Sequence, residues 1–292
     1  MKMQVMSGLY MRFPGGKAKA LTLSYDDGIE QDLRLVKIMN EHGLKGTFNV
    51  CSGLFSAEGT TYPAEQTRGR YMTALQIKEL SDHYGQEIAV HTLEHVHLGQ
   101  FPLATSVYQI IEDRRRLEEL LGCTIRGLVV PFGEVTDEII EVVENSGFSY
   151  ARKTQSTEDF WLPSHWRLSN DWLRFSPTCH HNNPRLMELA DKFLGLKAQK
   201  NPRLFYLWGH SYEFDEKDNW DVIEAFAEKM GGNESIWYAT NIQIFDYVTA
   251  YQQLRFGVDM KFVENPTATD LFFKYNEKDY MVKAGACISL SI

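Results

Sequence analysis

Residues 17–50, KAKALTLSYDDGIEQDLRLVKIMNEHGLKGTFNV, decide the fold class. An apolar run predicts a strand over 17–25, and the next apolar run predicts another over 45–50. Between them, Leu33, Val36 and Met39 lie on one apolar stripe and predict a helix that Gly43 ends. A strand, a helix and a second strand in this order form one unit of a parallel sheet.

The same alternation of short apolar runs and helical patterns continues along most of the chain. The further predicted strands are 87–91, 125–130, 148–151, 203–209 and 236–240, and the further predicted helices begin at Thr73 or span 105–122, 136–147, 184–196, 220–230 and 242–254. About seven strand–helix units result, which is too many for a small sandwich and suits a barrel. The sequence therefore predicts an α/β barrel.

The chain beyond Phe256 has a different pattern. Alternating residues and turn signals such as Asn265-Pro266 and Ala284-Gly285 predict short antiparallel strands. So short a segment rarely forms an independent core. We therefore expect a barrel domain over residues 1–255 and a small β appendage over residues 256–292 that packs on the barrel.

The composition is that of a globular protein and excludes some classes of function. The 292 residues include 30 Lys and Arg against 39 Asp and Glu, which gives a formal net charge of −9. Nucleic acids and anionic membranes select basic surfaces, so we expect neither as a partner. The four cysteines are widely spaced and form no CxxC pair, which argues against a cysteine zinc cluster and a dense disulfide framework.

The N-terminal sequence lacks the apolar core of a signal peptide, and no window of 18 apolar residues occurs elsewhere. These patterns predict a cytoplasmic protein that does not span a membrane. The sequence does not indicate an oligomeric state.

Two adjacent carboxylates, Asp26 and Asp27, follow the first predicted strand. Neighbouring side chains on extended backbone point in opposite directions, so one carboxylate can bind a cation while the other reaches a reacting water. Barrel enzymes place their active sites at such strand ends. The alternative is a simple Asp-Asp-Gly turn, because turns of this composition occur in many proteins.

Histidines follow two further predicted strands. His91 and His95 are four residues apart, a spacing that on helical backbone would put both imidazoles on one face for a single Zn²⁺-like ion. With one carboxylate they would form a ligand set with open positions, as a catalytic metal needs. His210 ends a late strand, where a histidine can donate a proton near neutral pH. The alternatives are a polar helix start at His91 and a structural role for His210.

Together these segments resemble the polysaccharide deacetylases, the family with the NodB homology domain (carbohydrate esterase family 4). Residues 24–28, SYDDG, match the family's T-F-D-D-G segment, with Tyr25 in place of Phe. HTLEH at 91–95 matches H-[ST]-x-x-H, and LWGH at 207–210 is similar to the late L-x-H. The order along the chain also matches, and the resemblance covers roughly residues 17–252.

This resemblance implies a distorted (β/α)7 barrel and a metal-dependent hydrolase that removes N- or O-linked acetyl groups from a carbohydrate. It implies that Asp27, His91 and His95 bind a divalent metal, with zinc as the first candidate and cobalt or nickel as alternatives. Asp26 would act as general base on a water held by the metal, and His210 as general acid. The expected partner is an acetylated carbohydrate substrate.

The third family motif, R-x-P-[FY]-G, is altered in this chain. The corresponding segment is VVPFG, so Val129 replaces the arginine that pairs with the base in the family. Arg126 or Arg152 could substitute for it through space. The rest of the loop is present, and the resemblance implies that the Phe132 N–H binds an oxyanion. The candidate substrate contacts in this loop are Pro131, Phe132 and Gly133.

The fourth motif, D-x-x-D-W, is met only by Asp171-Trp172, with Leu168 at the first acidic position. The surrounding stretch 160–181 also contains Trp161, His165 and Trp166. Aromatic rings there could stack on sugar rings or roof the barrel. The candidate aromatic contacts to substrate are Trp172, in this stretch, and Trp208, on the later strand.

Other polar residues near the predicted strand ends have two interpretations. In Cys179-His180-His181, adjacent histidines on extended backbone point apart, so at most one of them would bind a metal. Glu213 and Asp215 follow His210 closely. Each would either hydrogen-bond the general acid or lie in solvent.

Two other functions stay open. A hydrolase of a non-sugar linear amide C–N bond could use the same metal barrel, because pocket shape decides the substrate. A non-catalytic carbohydrate-binding protein could use the aromatic stretch alone. The presence of all five candidate catalytic and metal residues argues against a binding protein, since binding needs no base to activate water.

Overall fold

The computed structural model describes residues 8–133, 136–163 and 172–290. In chain order its strands are β1 (Leu9–Arg12), β2 (Lys19–Asp27), β3 (Gly46–Val50), β4 (Glu87–Val90), β5 (Gly127–Val129), β6 (Tyr150–Arg152), β7 (Cys179–His180), β8 (Arg203–Gly209), β9 (Ile236–Tyr238), β10 (Arg255–Phe256), β11 (Phe262–Glu264), β12 (Leu271–Tyr275), β13 (Lys278–Val282) and β14 (Cys287–Ser289). Its helices are α1 (Asp32–Glu41), α2 (Ala74–Asp82), α3 (Leu103–Leu121), α4 (Asp137–Asn145), α5 (Leu186–Gly195), α6 (Tyr212–Glu216), α7 (Trp220–Met230) and α8 (Asn241–Gln252). Short 3₁₀ helices lie at Pro14–Gly16, Ser52–Leu54, Leu98–Gln100 and Pro131–Gly133.

The central element is a curled sheet whose strand pairs are all parallel. Seven strands follow the order β6-β5-β4-β3-β2-β8-β7. The eighth strand, β9, pairs with the first residues of β2, which precede the residues of β2 that pair with β3. A parallel bridge joins Arg152 at the end of β6 to Phe175 ahead of β7, so the two edges of the sheet approach each other. This is the distorted (β/α)7 barrel of α/β class that the motifs imply.

The core of the barrel follows from the apolar strands and the helix stripes. Leu21, Leu23 and Tyr25 in β2 are at most 1% exposed, because a parallel strand covered on both faces needs a continuous apolar run. In α1, Leu35 and Met39 lie four residues apart on the buried side. Strand and helix patterns of this kind are what made the elements predictable.

Threonines set the starts of three predicted helices. Thr73, Thr136 and Thr240 are the N-caps of α2, α4 and α8, and each accepts a hydrogen bond from the backbone N–H three residues on. Gln76 and Gln243 complete capping boxes at α2 and α8. Of the helices in the described part of the chain, none has both the length and the apolar character that a membrane span needs.

Two small antiparallel sheets complete the fold, with strand orders β1-β12-β13 and β10-β11-β14. The sequence predicted short strands after Phe256 but not β1, which joins the N-terminal residues to the same sheet as β12 and β13. The Tyr247 hydroxyl on α8 donates to the carbonyl of Arg12 at 2.7 Å and accepts from the Phe272 N–H at 3.0 Å. The small sheets therefore draw on both ends of the chain, and a domain boundary at residue 255 stays a prediction.

Candidate active site

Three parallel strands end at one rim of the barrel and carry the predicted site residues. Asp26 and Asp27 end β2, His91 follows β4, and His210 follows β8. These residues and His95 line a cavity of about 470 Å³ at this rim. Four aromatic side chains also line the cavity: Tyr71, Phe132, Trp208 and Tyr212.

Asp27, His91 and His95 form a compact group, the candidate metal triad, around one carboxylate oxygen. Asp27 Oδ1 lies 3.5 Å from His91 Nε2 and 3.2 Å from His95 Nε2. Within the described residues no hydrogen bond of acceptable geometry reaches this buried oxygen, which is a costly state unless a cation binds there. Two imidazole nitrogens and a carboxylate oxygen suit zinc and similar divalent ions, so the residues fit such a metal.

The partner of His91 fixes which of its ring nitrogens faces the triad. His91 Nδ1 lies 2.8 Å from the carbonyl oxygen of Val129, and because a carbonyl only accepts, Nδ1 carries the proton. The lone pair of Nε2 is then free on the side of Asp27, as metal ligation requires. The backbone N–H of His91 is held in turn by the buried carboxylate of Asp113 at 3.1 Å.

The backbone at this rim is strained. Asp27, Thr92, His95 and Phe132 have positive φ angles of 82°, 64°, 54° and 60°. Non-glycine residues rarely adopt this region, and such strain concentrates at functional sites. The segment from His91 to His95 is a loop rather than a helix, so the helical geometry behind the spacing argument is wrong. Instead, strained loop backbone at Thr92 and His95 brings the imidazoles of His91 and His95 to Asp27 Oδ1.

Asp26 is buried beside the triad and has polar partners on both oxygens. Oδ1 accepts a hydrogen bond from Asn49 Nδ2 at 2.8 Å, and Oδ2 accepts one from the guanidinium of Arg152. Burial by itself raises the pKa of Asp26, but the positive charge of Arg152, aided by nearby histidines, outweighs burial and holds the pKa below its ordinary value. The ionised form of Asp26 is therefore favoured.

Arg152 supplies the guanidinium that the third motif lacks. Val129 and Arg152 are paired neighbours in the register of β5 and β6, so the cation comes from the adjacent strand. Arg152 is fully buried, and its guanidinium lies over the ring of Trp208, 4.4 Å from the centroid. Arg126, the other candidate, forms a surface ion pair with Asp246 at 2.6 Å and is not the partner of Asp26.

His210 lies close to Asp26 in the cavity. Its Nε2 is 3.9 Å from Asp26 Oδ2, and its Nδ1 donates a hydrogen bond to Glu213 Oε1 at 2.8 Å. Burial alone lowers the pKa of His210, but the hydrogen bond to Glu213 and the charges of Asp26 and Asp27 raise it above the ordinary value. The protonated ring is therefore favoured.

The loop of the third motif forms one wall of the cavity. Phe132 is half exposed and stacks on His97 with ring centroids 3.5 Å apart, while Pro131 is buried. Gly133 has φ 72°, and a Cβ there would lie 2.2 Å from Thr154 Oγ1. Glycine is therefore required at this position.

The two predicted tryptophan contacts occupy different environments. Trp208 lines the cavity, whereas Trp172 is 2% exposed and packs edge-on against Phe175 and Phe245 in the core. This placement corrects the prediction that Trp172 contacts substrate, because hydrophobic burial holds the ring away from the cavity. The predictions on His165, Trp166, Leu168 and Asp171, and with them most of the fourth motif, lie outside the described residues.

Sequence reasoning missed part of the cavity wall. Arg68 lines it and donates to Glu216 at 2.5 and 3.0 Å, with its guanidinium 4.7 Å from the ring centroid of Tyr212. Tyr71 lies nearby in the same long segment between β3 and α2. That segment has no periodic pattern and no motif, so nothing in the sequence distinguished these residues from an ordinary loop.

The fold and the site define a class of protein: a (β/α) barrel with a candidate metal triad, a buried aspartate and a histidine at the strand ends. Comparison with known families follows the same direction. Residues 14–151 match the family model described as polysaccharide deacetylase. This match confirms the resemblance of the motifs to that family. The similarity supports a hydrolase that removes acetyl groups.

Solved structures of low sequence identity share the fold. A Mycobacterium smegmatis protein described as a polysaccharide deacetylase has a TM-score of 0.58 at 18% identity, over 82% of this chain and 93% of its own. Puue allantoinase has a TM-score of 0.57 at 16% identity, over 80% of this chain and 91% of its own. For a probable polysaccharide deacetylase from Pseudomonas aeruginosa PAO1 the values are 0.59 and 16%, over 80% of this chain and 92% of that one. No curated protein matches the sequence.

Proposed function

We propose that this protein is a metal-dependent hydrolase that removes acetyl groups from a carbohydrate. One observation carries the proposal. Asp26 Oδ2 and His210 Nε2 lie 3.9 Å apart beside the candidate metal triad, and each residue has its own charged partner. A base and an acid that reach one reacting centre are what hydrolysis of an acyl bond needs.

Asp27, His91 and His95 would hold the metal. A bound divalent cation supplies Lewis-acid polarisation of the acyl carbonyl and a lower pKa for water. Zinc is the first candidate, with cobalt and nickel as alternatives, because imidazole and carboxylate ligands suit all three ions. The uncompensated oxygen of Asp27 and the free Nε2 of His91 support this role.

Asp26 takes the proton of the attacking water. Arg152 keeps the carboxylate ionised, so Asp26 can accept a proton at neutral pH. The hydrogen bonds from Arg152 and Asn49 also fix the plane of the carboxylate. A base held in one orientation loses little entropy when the proton is transferred.

His210 donates a proton to the departing amine or alcohol. Because Nδ1 is hydrogen-bonded to Glu213, Nε2 is the nitrogen available to the substrate. The raised pKa of His210 favours the protonated ring, which is the form that can act as an acid. The backbone N–H of Phe132 would stabilise the developing oxyanion. Phe132 has a φ angle of 60°, so the surrounding structure holds this N–H in a strained backbone conformation.

The cavity walls suit a sugar substrate. Tyr71, Phe132, Trp208 and Tyr212 present aromatic surface, and such rings stack well on the apolar faces of sugars.

Acetate release from acetylated xylo-, chito- and muropeptide-type oligosaccharides, with and without added Zn²⁺, Co²⁺ or Ni²⁺, tests the proposal. We expect metal-dependent release, reduced about 100-fold or more in Asp26→Asn and in His210→Ala. Near wild-type activity in both variants, or full activity after chelation, contradicts the proposal. Hydrolysis of linear amides without acetate release from any sugar would favour the non-sugar hydrolase instead.

A further inference from the structure

Glu213 lies one turn after His210, on the short helix α6, and two histidines contact one of its oxygens. His210 Nδ1 donates to Glu213 Oε1 at 2.8 Å, and His180 Nε2 lies 3.3 Å from the same oxygen. The side-chain amide of Asn182 donates to the other oxygen, Oε2. Glu213 therefore connects β7 and the turn after it to the strand end that carries His210.

The proton position on His180 follows from its backbone partner. The N–H of Asn182 donates to His180 Nδ1 at 3.0 Å, so this nitrogen presents a lone pair and the proton lies on Nε2. The protonated Nε2 of His180 is therefore the nitrogen that contacts Glu213 Oε1. A metal held between His180 Nε2 and Glu213 would need the reverse arrangement, with the lone pair on Nε2, as His91 has. Although the three side chains are close enough to hold an ion, their hydrogen bonds make them a proton-donor and acceptor unit.

His181 lies on the buried side of Glu213, with its Nε2 3.7 Å from Glu213 Oε2. It is 1% exposed, and its ring stacks on Tyr25 and Phe214 with centroid distances of 5.7 and 4.2 Å. Burial lowers the pKa of His181 to about 4. His181 is therefore neutral near pH 7 and does not compete with His210 as the positively charged partner of Glu213.

We propose that Glu213 is the positioning residue of His210 and that His180 holds Glu213 in place for this task. The inference rests on the proposed function, in which His210 gives its proton through Nε2. With Nδ1 bound to Glu213, the ring is oriented so that Nε2 lies near Asp26. The negative charge of Glu213 also stabilises the protonated ring.

Several other ionisable groups surround His210 and Glu213. They are Asp26 and Asp27 at the end of β2, His180 and His181 at and after β7, and Tyr212 and Lys217 at the two ends of α6. Asp26 already has Arg152 as its counter-charge, and Asp27 belongs to the candidate metal triad. Glu213 is the carboxylate that His210 contacts directly through a hydrogen bond.

Four variants of the metal-loaded full-length protein separate charge from orientation. Glu213→Gln keeps an acceptor for His210 Nδ1 but removes the charge, and Glu213→Ala removes both. His180→Asn removes a donor to Glu213 and leaves the charge of Glu213 intact. Asp215→Asn is the matched control, because Asp215 lies on the same helix and accepts from Trp220 Nε1 at 2.8 Å, outside the unit.

For each variant we would measure kcat, KM, the pH profile, metal content and the NMR titration of the His210 ring. We expect Glu213→Gln to move the basic limb of kcat and the pKa of His210 down by about one unit or more, with KM and metal content unchanged. Glu213→Ala should lower kcat about 10- to 100-fold. His180→Asn should lower kcat about 3- to 10-fold without moving the limb, and Asp215→Asn should match wild type.

An unshifted His210 titration in Glu213→Gln overturns the role of Glu213, and an unchanged kcat in His180→Asn overturns the role of His180. Thermal melting of all four variants reports whether each is folded. The NMR titration needs no substrate. A shifted His210 titration in a protein that releases no acetate would therefore support the link to Glu213 and contradict only the proposed substrate.

Discussion

Arg152 on β6 donates a hydrogen bond to Asp26 on β2, although three strands lie between β6 and β2 in the order of the sheet. The register puts Arg152 beside Val129, the position at which the family motif has its arginine. Asp26, the proposed base, therefore has the charged partner that the motif predicts, and the neighbouring strand supplies it. Both side chains are buried, so the interaction is poorly screened by solvent.

Arg152→Gln should lower kcat/KM by at least about 100-fold. Without the guanidinium, burial dominates and raises the pKa of Asp26, so the base holds a proton over more of the neutral range. Because the base works when deprotonated, the acidic limb of the kcat/KM profile should move to higher pH. The pH profile of acetate release measures this shift.

Two matched variants control for the loss of an arginine. Arg126→Gln removes the surface ion pair with Asp246 and should change stability by less than about 1 kcal/mol, with kcat unchanged. Arg152→Val combined with Val129→Arg returns the cation to the adjacent strand and should recover part of the activity that Arg152→Val loses. Wild-type kinetics in Arg152→Gln would contradict the pairing with the base.

Asp27→Ala and His91→Ala should each reduce bound metal well below one ion per chain, because each removes one of three candidate ligands. Elemental analysis of the purified proteins measures the metal.

Chelation should also lower the melting temperature of the wild type, because an ion that binds only the folded state stabilises it. His83→Gln, at an exposed histidine after α2, is the control, and stoichiometric metal in Asp27→Ala would rule out the triad.

Much of the fold could be predicted because each element depends on residues a few positions apart. The strand over 203–209 and the helix over 220–230 are observed with the predicted bounds. The pairing of β1 with β12 joins Leu9 to Tyr275 and leaves no local signature in either strand. Long-range strand pairing is decided by packing, which a single sequence does not reveal.

The candidate site was predictable in part for the same reason. Parallel strands end at one rim, so motifs at strand ends converge there, and Asp26 and His210 do so. The partner of Asp26 is 126 residues away along the chain, and its choice over Arg126 depends on strand register. Trp172 was misjudged because an aromatic residue in a loop has the same sequence signal whether it faces a cavity or the core.

Buried Asp32 should make stability depend on pH. Its carboxylate accepts from the Ser211 hydroxyl at 2.6 Å and from the Ile29 N–H at 3.2 Å, and burial raises its pKa to about 8. An unfolded aspartate has a pKa of about 3.9. Between these values the folded state keeps a proton that the unfolded state releases. The free energy of unfolding should therefore fall as pH rises, by up to about 1.4 kcal/mol per pH unit from this group.

Melting temperatures of wild type and Asp32→Asn between pH 5 and pH 8 test this dependence. The asparagine cannot ionise, so the decline with rising pH should be shallower in the variant. Asp82→Asn, at the exposed end of α2, should follow the wild-type curve. Identical slopes for wild type and Asp32→Asn would mean that the buried carboxyl does not hold its proton in this range.

Phe273→Ala should destabilise the whole protein by about 3–5 kcal/mol. Phe273 in β12 is fully buried and belongs to a core cluster that also contains Ala20 and Leu204 of the barrel and Tyr247 of α8. Because this core is shared, we expect one cooperative transition, in which barrel helicity and catalytic activity are lost together. Phe262→Ala, at a half-exposed phenylalanine of β11, should cost less than about 0.5 kcal/mol. Two separate transitions in Phe273→Ala, with activity surviving the first, would instead support independent domains divided near residue 255.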